Sequence, residues 1–284
     1  VSSSSGSLFI VATPIGNLAD ITYRAVEILK TVDLIAAEDT RHSQHLLTFY
    51  GIKTPRISLH EHNEQQRIKQ LITLLQEGKQ IALISDAGTP LISDPGYRLV
   101  AALHQMRIPI VPIPGACAAI NALVASGLPT DRFIFEGFLP VKGSVRKQRL
   151  QELAEESRTV IFYEAPHRIE DLVNQLITEF GGVRLATVAR EITKNFETIH
   201  HATLNDLKQW LSDDANQRKG EFVVIVQGKE KKPELQNEEE LKRILKILLA
   251  ELSLKQAVAL AVSITHLKRN YVYNIALNLL PIND

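Results

Sequence analysis

The sequence predicts an α/β fold made of two successive sets of strand–helix units, closed by a helical extension. Two observations carry this. Short strand-like runs recur, most followed by a turn and then helical periodicity: 8–12, 33–37, 81–84 and 108–113 in the first part, 132–138, 159–163, 185–189 and 221–228 in the second. A charged stretch holding Pro233 then leads into 241–280, where the pattern is helical throughout. With 284 residues and 45% hydrophobic content, the chain can form two α/β domains or one large one without covalent staples. The expected boundaries are a disordered tail at 1–7, an α/β domain at 8–122, a second at 123–230 and the helical extension at 231–284.

In the first part, strand 8–12 enters the loop Thr13-Pro-Ile-Gly-Asn-Leu-Ala-Asp20, and helix 22–30 follows. This loop has one glycine and no Gly-Lys-Ser/Thr, so neither a GxGxxG nor a Walker phosphate loop is present. Strand 33–37 delivers Glu38, Asp39 and Arg41 to its carboxyl end. A polar strand edge at 57–63 carries His60, Glu61 and His62, and helix 64–77 stops at Gly78. The histidines lack HExxH spacing and a completing cysteine or acidic cluster, so no metal site is expected there or at His200-His201.

Strand 81–84 ends in the turn Ser85-Asp-Ala-Gly-Thr-Pro90, and Asp94-Pro95 reads as the cap and first position of a helix running to Met106. Asp86 therefore stands at the carboxyl end of a parallel strand, where open α/β sheets bind ligands, although an Asx-turn accounts for it equally well. After strand 108–113, Pro114-Gly-Ala-Cys-Ala-Ala119 opens a helix with small residues, which suits either a ligand lying against the amides or tight packing.

In the second part, Lys142, Arg146, Lys147 and Arg149 form a basic run beside a Phe138-Leu-Pro140 loop and are expected to contact phosphate. Strand 159–163 ends at Tyr163-Glu164, helix 166–180 carries His167 and Arg168 in its first turn, strand 185–189 ends at Arg190-Glu191, and Glu221 opens the last strand. In the extension, Ser253 caps one helix, a turn falls at Thr265, and a further helix spans 271–280. That rhythm resembles a helix-turn-helix, which serves equally as a packing cap or an RNA-binding appendage.

Charge and composition narrow the function classes. Lys+Arg and Asp+Glu are both 32, so any nucleic-acid contact must come from a local patch. A single cysteine, Cys117, rules out an internal disulfide framework and fits a reducing cytoplasm. No apolar run is long enough to span a bilayer, and the Ser-rich start lacks signal-peptide features.

Three loops stand in order: Ala12-Thr-Pro-Ile-Gly-Asn-Leu-Ala-Asp-Ile-Thr22, Ser85-Asp-Ala-Gly-Thr-Pro90 and Pro114-Gly-Ala-Cys117. With them the chain resembles the tetrapyrrole methylase superfamily, the class III S-adenosylmethionine methyltransferases. Ala37-Glu-Asp-Thr-Arg41, Leu59-His-Glu-His-Asn63, Phe138-Leu-Pro140, Tyr163-Glu-Ala-Pro-His-Arg168 and Ala189-Arg-Glu-Ile-Thr193 make it similar to the bacterial small-subunit ribosomal RNA cytidine-2′-O-methyltransferase branch. The resemblance implies two αβα domains with S-adenosylmethionine in the cleft between them, a homodimer, and a cytidine 2′-hydroxyl of 16S rRNA in the small ribosomal subunit as target.

Carried onto this chain, the resemblance implies methyl-donor binding by Pro14, Ile15, Gly16, Asp86, Ala87, Gly88, Ala116, Cys117 and Ala118, with Tyr163, Ala189, Arg190 and Glu221 from the second part. Glu38, Asp39, Glu164 and Glu191 are the candidate proton acceptors, with Arg41, Arg168, Arg190 and Lys194 holding phosphate or polarising the ribose; for any one carboxylate taken singly, an ion pair with those arginines is the more ordinary role. Ser85-Asp86-Ala87 stands where tetrapyrrole enzymes often carry Gly-Asp-Pro, which argues against a porphyrin-type substrate. A small-tetrapyrrole methylase remains the alternative, and a non-enzymatic RNA-binding protein the third reading.

Overall fold

The computed structural model describes residues 6–60, 63–230 and 235–279. Most of the expected tail, Glu61, His62 and Pro233 lie outside them. The chain divides into two compact units, Val1–Lys229 and Glu230–Asp284.

The first unit holds two five-stranded sheets. Strands β1 (Leu8–Val11), β2 (Leu34–Ala37), β3 (Arg56–Ser58), β4 (Ile81–Ile84) and β5 (Ile110–Ile113) form an all-parallel sheet in the order β3-β2-β4-β1-β5. Both faces are covered. Helices α1 (Tyr23–Thr31) and α2 (Ser43–Phe49) pack Ala25, Leu29 and Leu47 over Val11, Ile35 and Ile84. On the other face α3 (Glu64–Gln76) and α4 (Tyr97–Gln105) pack Leu71, Leu75, Leu99 and Leu103 over Leu8, Ile81 and Leu83. Burial on two faces explains why β4 reads Ile-Ala-Leu-Ile without alternation. The oxygen of Thr22 caps α1 by accepting from the Ala25 amide at 3.1 Å.

Helix α5 (Ala118–Ala125) follows β5 but packs on the second sheet, where Ala119, Ala122 and Leu123 meet Ile161, Ala189, Val223 and Ile225. That sheet contains β6 (Phe133–Phe138), β7 (Thr159–Glu164), β8 (Leu185–Arg190), β9 (Thr198–Thr203) and β10 (Phe222–Val226) in the order β6-β7-β10-β8-β9. Helices α6 (Gly143–Ala154), α7 (Ile169–Phe180) and α8 (Leu204–Asp213) cover its other face. Helix α7 follows a 3-10 turn at Pro166–Arg168. The sheet is mixed: β6 and β7 are parallel, but β10 runs antiparallel to both β7 and β8.

Phe222 pairs with Glu164 on one side and Arg190 on the other. The start of β10 thus lies at the same edge as the ends of β7 and β8, and Glu221 joins them by antiparallel register. The helices α2 and α8 escaped the pattern reading, as did the edge strand β9, where His200 stacks on Trp210 and His201 bonds Thr187.

The second unit is a three-helix cluster of α9 (Leu235–Glu251), α10 (Leu254–Thr265) and α11 (Arg269–Leu279), closed around Leu241, Leu245, Val258, Ala261, Val272 and Ala276. Ser253 and Gln256 form a capping box at α10, and His266 ends it in the left-handed conformation at φ 55°.

Candidate active site

The order β4-β1-β5 places three strands side by side, so their carboxyl-end loops collect at one edge of the first sheet. Backbone bonds stitch the loops together. Thr13 and Gly88 exchange N–H···O bonds of 2.8 and 3.0 Å, and Thr89 Oγ1 donates to the Ala116 carbonyl at 2.9 Å. Gly88 sits at φ 80°, and a Cβ on Gly115 would lie 2.8 Å from the Ala12 Cβ. Tight packing therefore accounts for Gly115.

The second sheet meets this edge through Tyr163. Its hydroxyl accepts from the Ala119 amide at 3.0 Å, in the first turn of α5, where no Cys117 side-chain cap is present. Burial pushes the Tyr163 phenol well above its usual range, with Cys117 adding to the shift. Nearby, Asn17 donates its amide to Thr193 Oγ1 at 3.1 Å.

A cavity of about 380 Å³ opens between the two rims. Ile15, Ala87, Gly88, Cys117 and Ala118 line it from the first set of loops; Tyr163, Glu164, Ala189 and Glu221 line it from the second sheet. All nine were expected at the site. Pro14, Gly16, Asp86, Ala116 and Arg190 flank lining positions in the chain without lining the cavity themselves. Arg190 is buried, donating to the Lys219 carbonyl and to Thr198 Oγ1, both at 3.2 Å.

The candidate acids divide into different environments. Glu164 is fully buried and holds Arg146 at 2.9 Å and Arg168 at 3.3 Å. Glu191, at φ 52°, accepts from Lys194 Nζ and from the Glu221 amide, both at 2.9 Å. Its burial raises its pKa, but the Glu221 amide and Lys194 outweigh that and leave it lowered. Asp39 grips its neighbour Arg41 at 3.0 Å in solvent, which lowers its pKa to about 2. Glu38 Oε2 accepts from the Asp86 amide at 3.3 Å, and Asp86 Oδ1 accepts from the Asp39 amide at 3.0 Å. Glu38, Asp39 and Arg41 are thus joined to the Asp86 loop but do not line the cavity.

The basic run also divides. Lys142 and Lys147 are exposed. Arg149 is held by Glu136 at 2.7 Å and Glu152 at 2.9 Å. Arg146 corrects the expectation of phosphate contact: it is 4% exposed, bonded to Gln175 at 2.6 Å as well as to Glu164, and faces the protein interior.

Asp94 is the residue that sequence reading assigned to the wrong task. Helix α4 starts at Tyr97, with Gly96 at its N-cap at φ 121° and no side-chain cap bond. Asp94 instead lines the cavity, on a loop where Leu91 and Ser93 both take φ 72°, a costly conformation for residues with a Cβ. Burial raises the Asp94 pKa to about 6, against a lowering hydrogen bond from Ser85, while Glu38 and Asp86 add to the rise. Ile92, Phe138, Ile192 and Val223 complete an apolar wall that the sequence reading also missed. The Ser-Asp-Pro-Gly spacing was the available signal, but its cap-like appearance masked it.

The sheet order, loop cluster and cavity define an α/β enzyme class that takes its small-molecule ligand where strand ends converge. Residues 7–208 match the Tetrapyrrole (Corrin/Porphyrin) Methylases, and residues 236–280 match the RsmI C-terminal HTH domain. The chain is 53% identical over 276 residues to the Ribosomal RNA small subunit methyltransferase I of Pseudomonas aeruginosa, covering 96% of this chain and 98% of that protein. It is 52% identical over 274 residues to the protein of that name from Escherichia coli O157:H7, covering 96% of each. Among solved structures, Uroporphyrin-III C-methyl transferase from Thermus thermophilus, complexed with S-adenyl homocysteine, superposes with a TM-score of 0.54 at 16% identity, covering 78% of this chain and 97% of that one. The chain belongs to the tetrapyrrole (corrin/porphyrin) methylase family and, within it, to the family of the ribosomal RNA small subunit methyltransferase I proteins.

Proposed function

We propose that the chain is an S-adenosylmethionine-dependent methyltransferase of small-subunit ribosomal RNA, and that it methylates the 2′-hydroxyl of a cytidine in the decoding region. The observation that supports methylation of small-subunit ribosomal RNA is identity above 50% across 96% of the chain to proteins named for that substrate; the cytidine 2′-hydroxyl rests on the motif resemblance alone. The cavity fits the methyl donor. It lies within the usual volume range for small-molecule sites, its wall is largely apolar, and the Asp94 carboxylate offers a counter-charge to a sulfonium. In this reading the Ile15, Ala87–Gly88 and Cys117–Ala118 loops hold the donor from one side, and Tyr163, Ala189 and Glu221 from the other. The donor supplies an activated methyl group. The protein's own task is to hold a ribose hydroxyl in line with that methyl and to keep water out.

The reading extends to a homodimer acting on rRNA or the assembled small subunit in the cytoplasm, with Lys142 and Lys147 on the RNA side. Among the described residues no helix is long and apolar enough to cross a membrane. The test is to incubate the enzyme and labelled S-adenosylmethionine with small subunits lacking the modification, and then to map the label. Label on a ribose of a decoding-region cytidine is expected; label confined to a base, or turnover only with a tetrapyrrole, overturns the reading. Asp86→Ala should weaken S-adenosylhomocysteine binding about tenfold by calorimetry, because Asp86 fixes the loop through the Asp39 amide; unchanged affinity removes it from the donor site.

A further inference from the structure

Building on that functional reading, we propose that Asp94 is the proton acceptor of the methyl transfer, its carboxylate taking the proton of the ribose hydroxyl while that oxygen forms its bond to the methyl carbon. The carbon–sulfur bond breaks, and its electron pair stays on sulfur as a neutral thioether. Sulfonium and carboxylate are consumed together, so a cation and an anion become two neutral groups. A cavity with a largely apolar wall favours that change, because both charges are costlier there than in water.

Placement selects Asp94 over the other acids. It lines the cavity, and the group that offsets part of its raised pKa is the neutral Ser85 hydroxyl rather than a cation. The ionisable groups around it are Glu38 and Asp86 from the first sheet, Tyr163, Glu164 and Glu221 from the second, and Cys117 at the start of α5. The cations of the region are committed elsewhere. Arg146 and Arg168 hold Glu164, Lys194 holds Glu191 and Glu221, and Arg98 lies 3.5 Å from Glu64. A carboxylate held by an arginine is a poor base, whereas one raised toward neutrality is a better acceptor that is still mostly ionised at pH 7. The strained backbone at Leu91 and Ser93 fits a loop shaped to aim this side chain.

The experiment uses the full chain with undermethylated small subunits, comparing wild type, Asp94→Asn and Asp94→Glu. Asp94→Asn should lower the single-turnover rate at least a hundredfold, while S-adenosylhomocysteine affinity by calorimetry changes less than threefold. Wild-type kcat/KM should rise through a limb near pH 6, which Asp94→Asn removes and Asp94→Glu keeps at reduced rate.

A second readout needs no turnover. The raised pKa means that the folded protein binds a proton between about pH 4 and pH 6 that the unfolded chain has released, so wild-type stability falls as pH rises through that window. Asp94→Asn should therefore melt higher than wild type at pH 8, with the advantage gone near pH 4. A pH limb that persists in Asp94→Asn, an undiminished rate, or a loss of S-adenosylhomocysteine affinity as large as the loss of rate overturns the assignment. Failure of wild type to methylate the subunit overturns the functional reading instead, and is visible before any variant is made.

Discussion

Around the cavity, Asp86 and Asp94 on the first sheet's loops meet an amide and a hydroxyl, whereas Glu164 and Glu191 on the second are gripped by arginine and lysine. Asp94 rests on Ser85 and Asp86 takes the Asp39 amide; opposite them, Glu164 holds Arg146 and Arg168, and Glu191 holds Lys194. The first arrangement keeps negative charge available to an incoming cation. The second has already neutralised its charge: Glu164 ties β7 to α6 through Arg146, and Lys194 ties its own loop to Glu221 before β10. Acidic residues at strand ends therefore have two unlike functions here, separated by whether the nearest partner carries a charge.

The sharpest break of this comparison is Arg146→Ala. With Arg146 at 5% and Glu164 at 0% side-chain exposure, removing one partner should cost about 3–5 kcal/mol in denaturant unfolding. A loss under about 1 kcal/mol would mean that the second rim's pairs are not structural. Gly115→Ala comes next. Its methyl would crowd the Ala12 side chain, costing about 1–3 kcal/mol and weakening S-adenosylhomocysteine binding through the stitched loops. Unaltered binding would separate loop packing from the ligand site. The smallest effect on stability is expected for Lys142→Ala with Lys147→Ala. The pair should leave the melting temperature unchanged yet reduce the salt slope of subunit binding by roughly 1.4, at ~0.7 per phosphate lost. Arg149→Ala should move that slope less, since Glu136 and Glu152 already hold its guanidinium.

The fold was legible wherever burial on both faces leaves an uninterrupted apolar run, as in β4 and β10. It was illegible at β9, an edge strand with exposed positions that reads Thr-Ile-His-His-Ala-Thr, and at the short helix α2. The loops after β1, β4 and β5 could be placed because each follows such a run. The pairing of charges could not be placed, because proximity across sheets leaves no periodicity. Arg146 shows this best: next to Lys147 and Arg149 it reads as a surface patch, but α6 turns it inward onto Glu164. Asp94 failed for another reason, since Asp-Pro before a helical run is also a capping signal, and only the φ of Gly96 shows that the helix starts later without it.

Cys117, the chain's one thiol, lies in the cavity wall at the start of α5. Chemically, that makes the protein carry its own occupancy gauge. A thiol-specific alkylating reagent added to the purified chain has a single place to react, so mass spectrometry reads one site without engineering. Its labelling rate should fall as S-adenosylhomocysteine saturates the cavity, and the concentration that halves the rate should match the calorimetric dissociation constant. The same trace, followed for the Asp86 and Gly115 variants, would report loop integrity and ligand occupancy in one measurement.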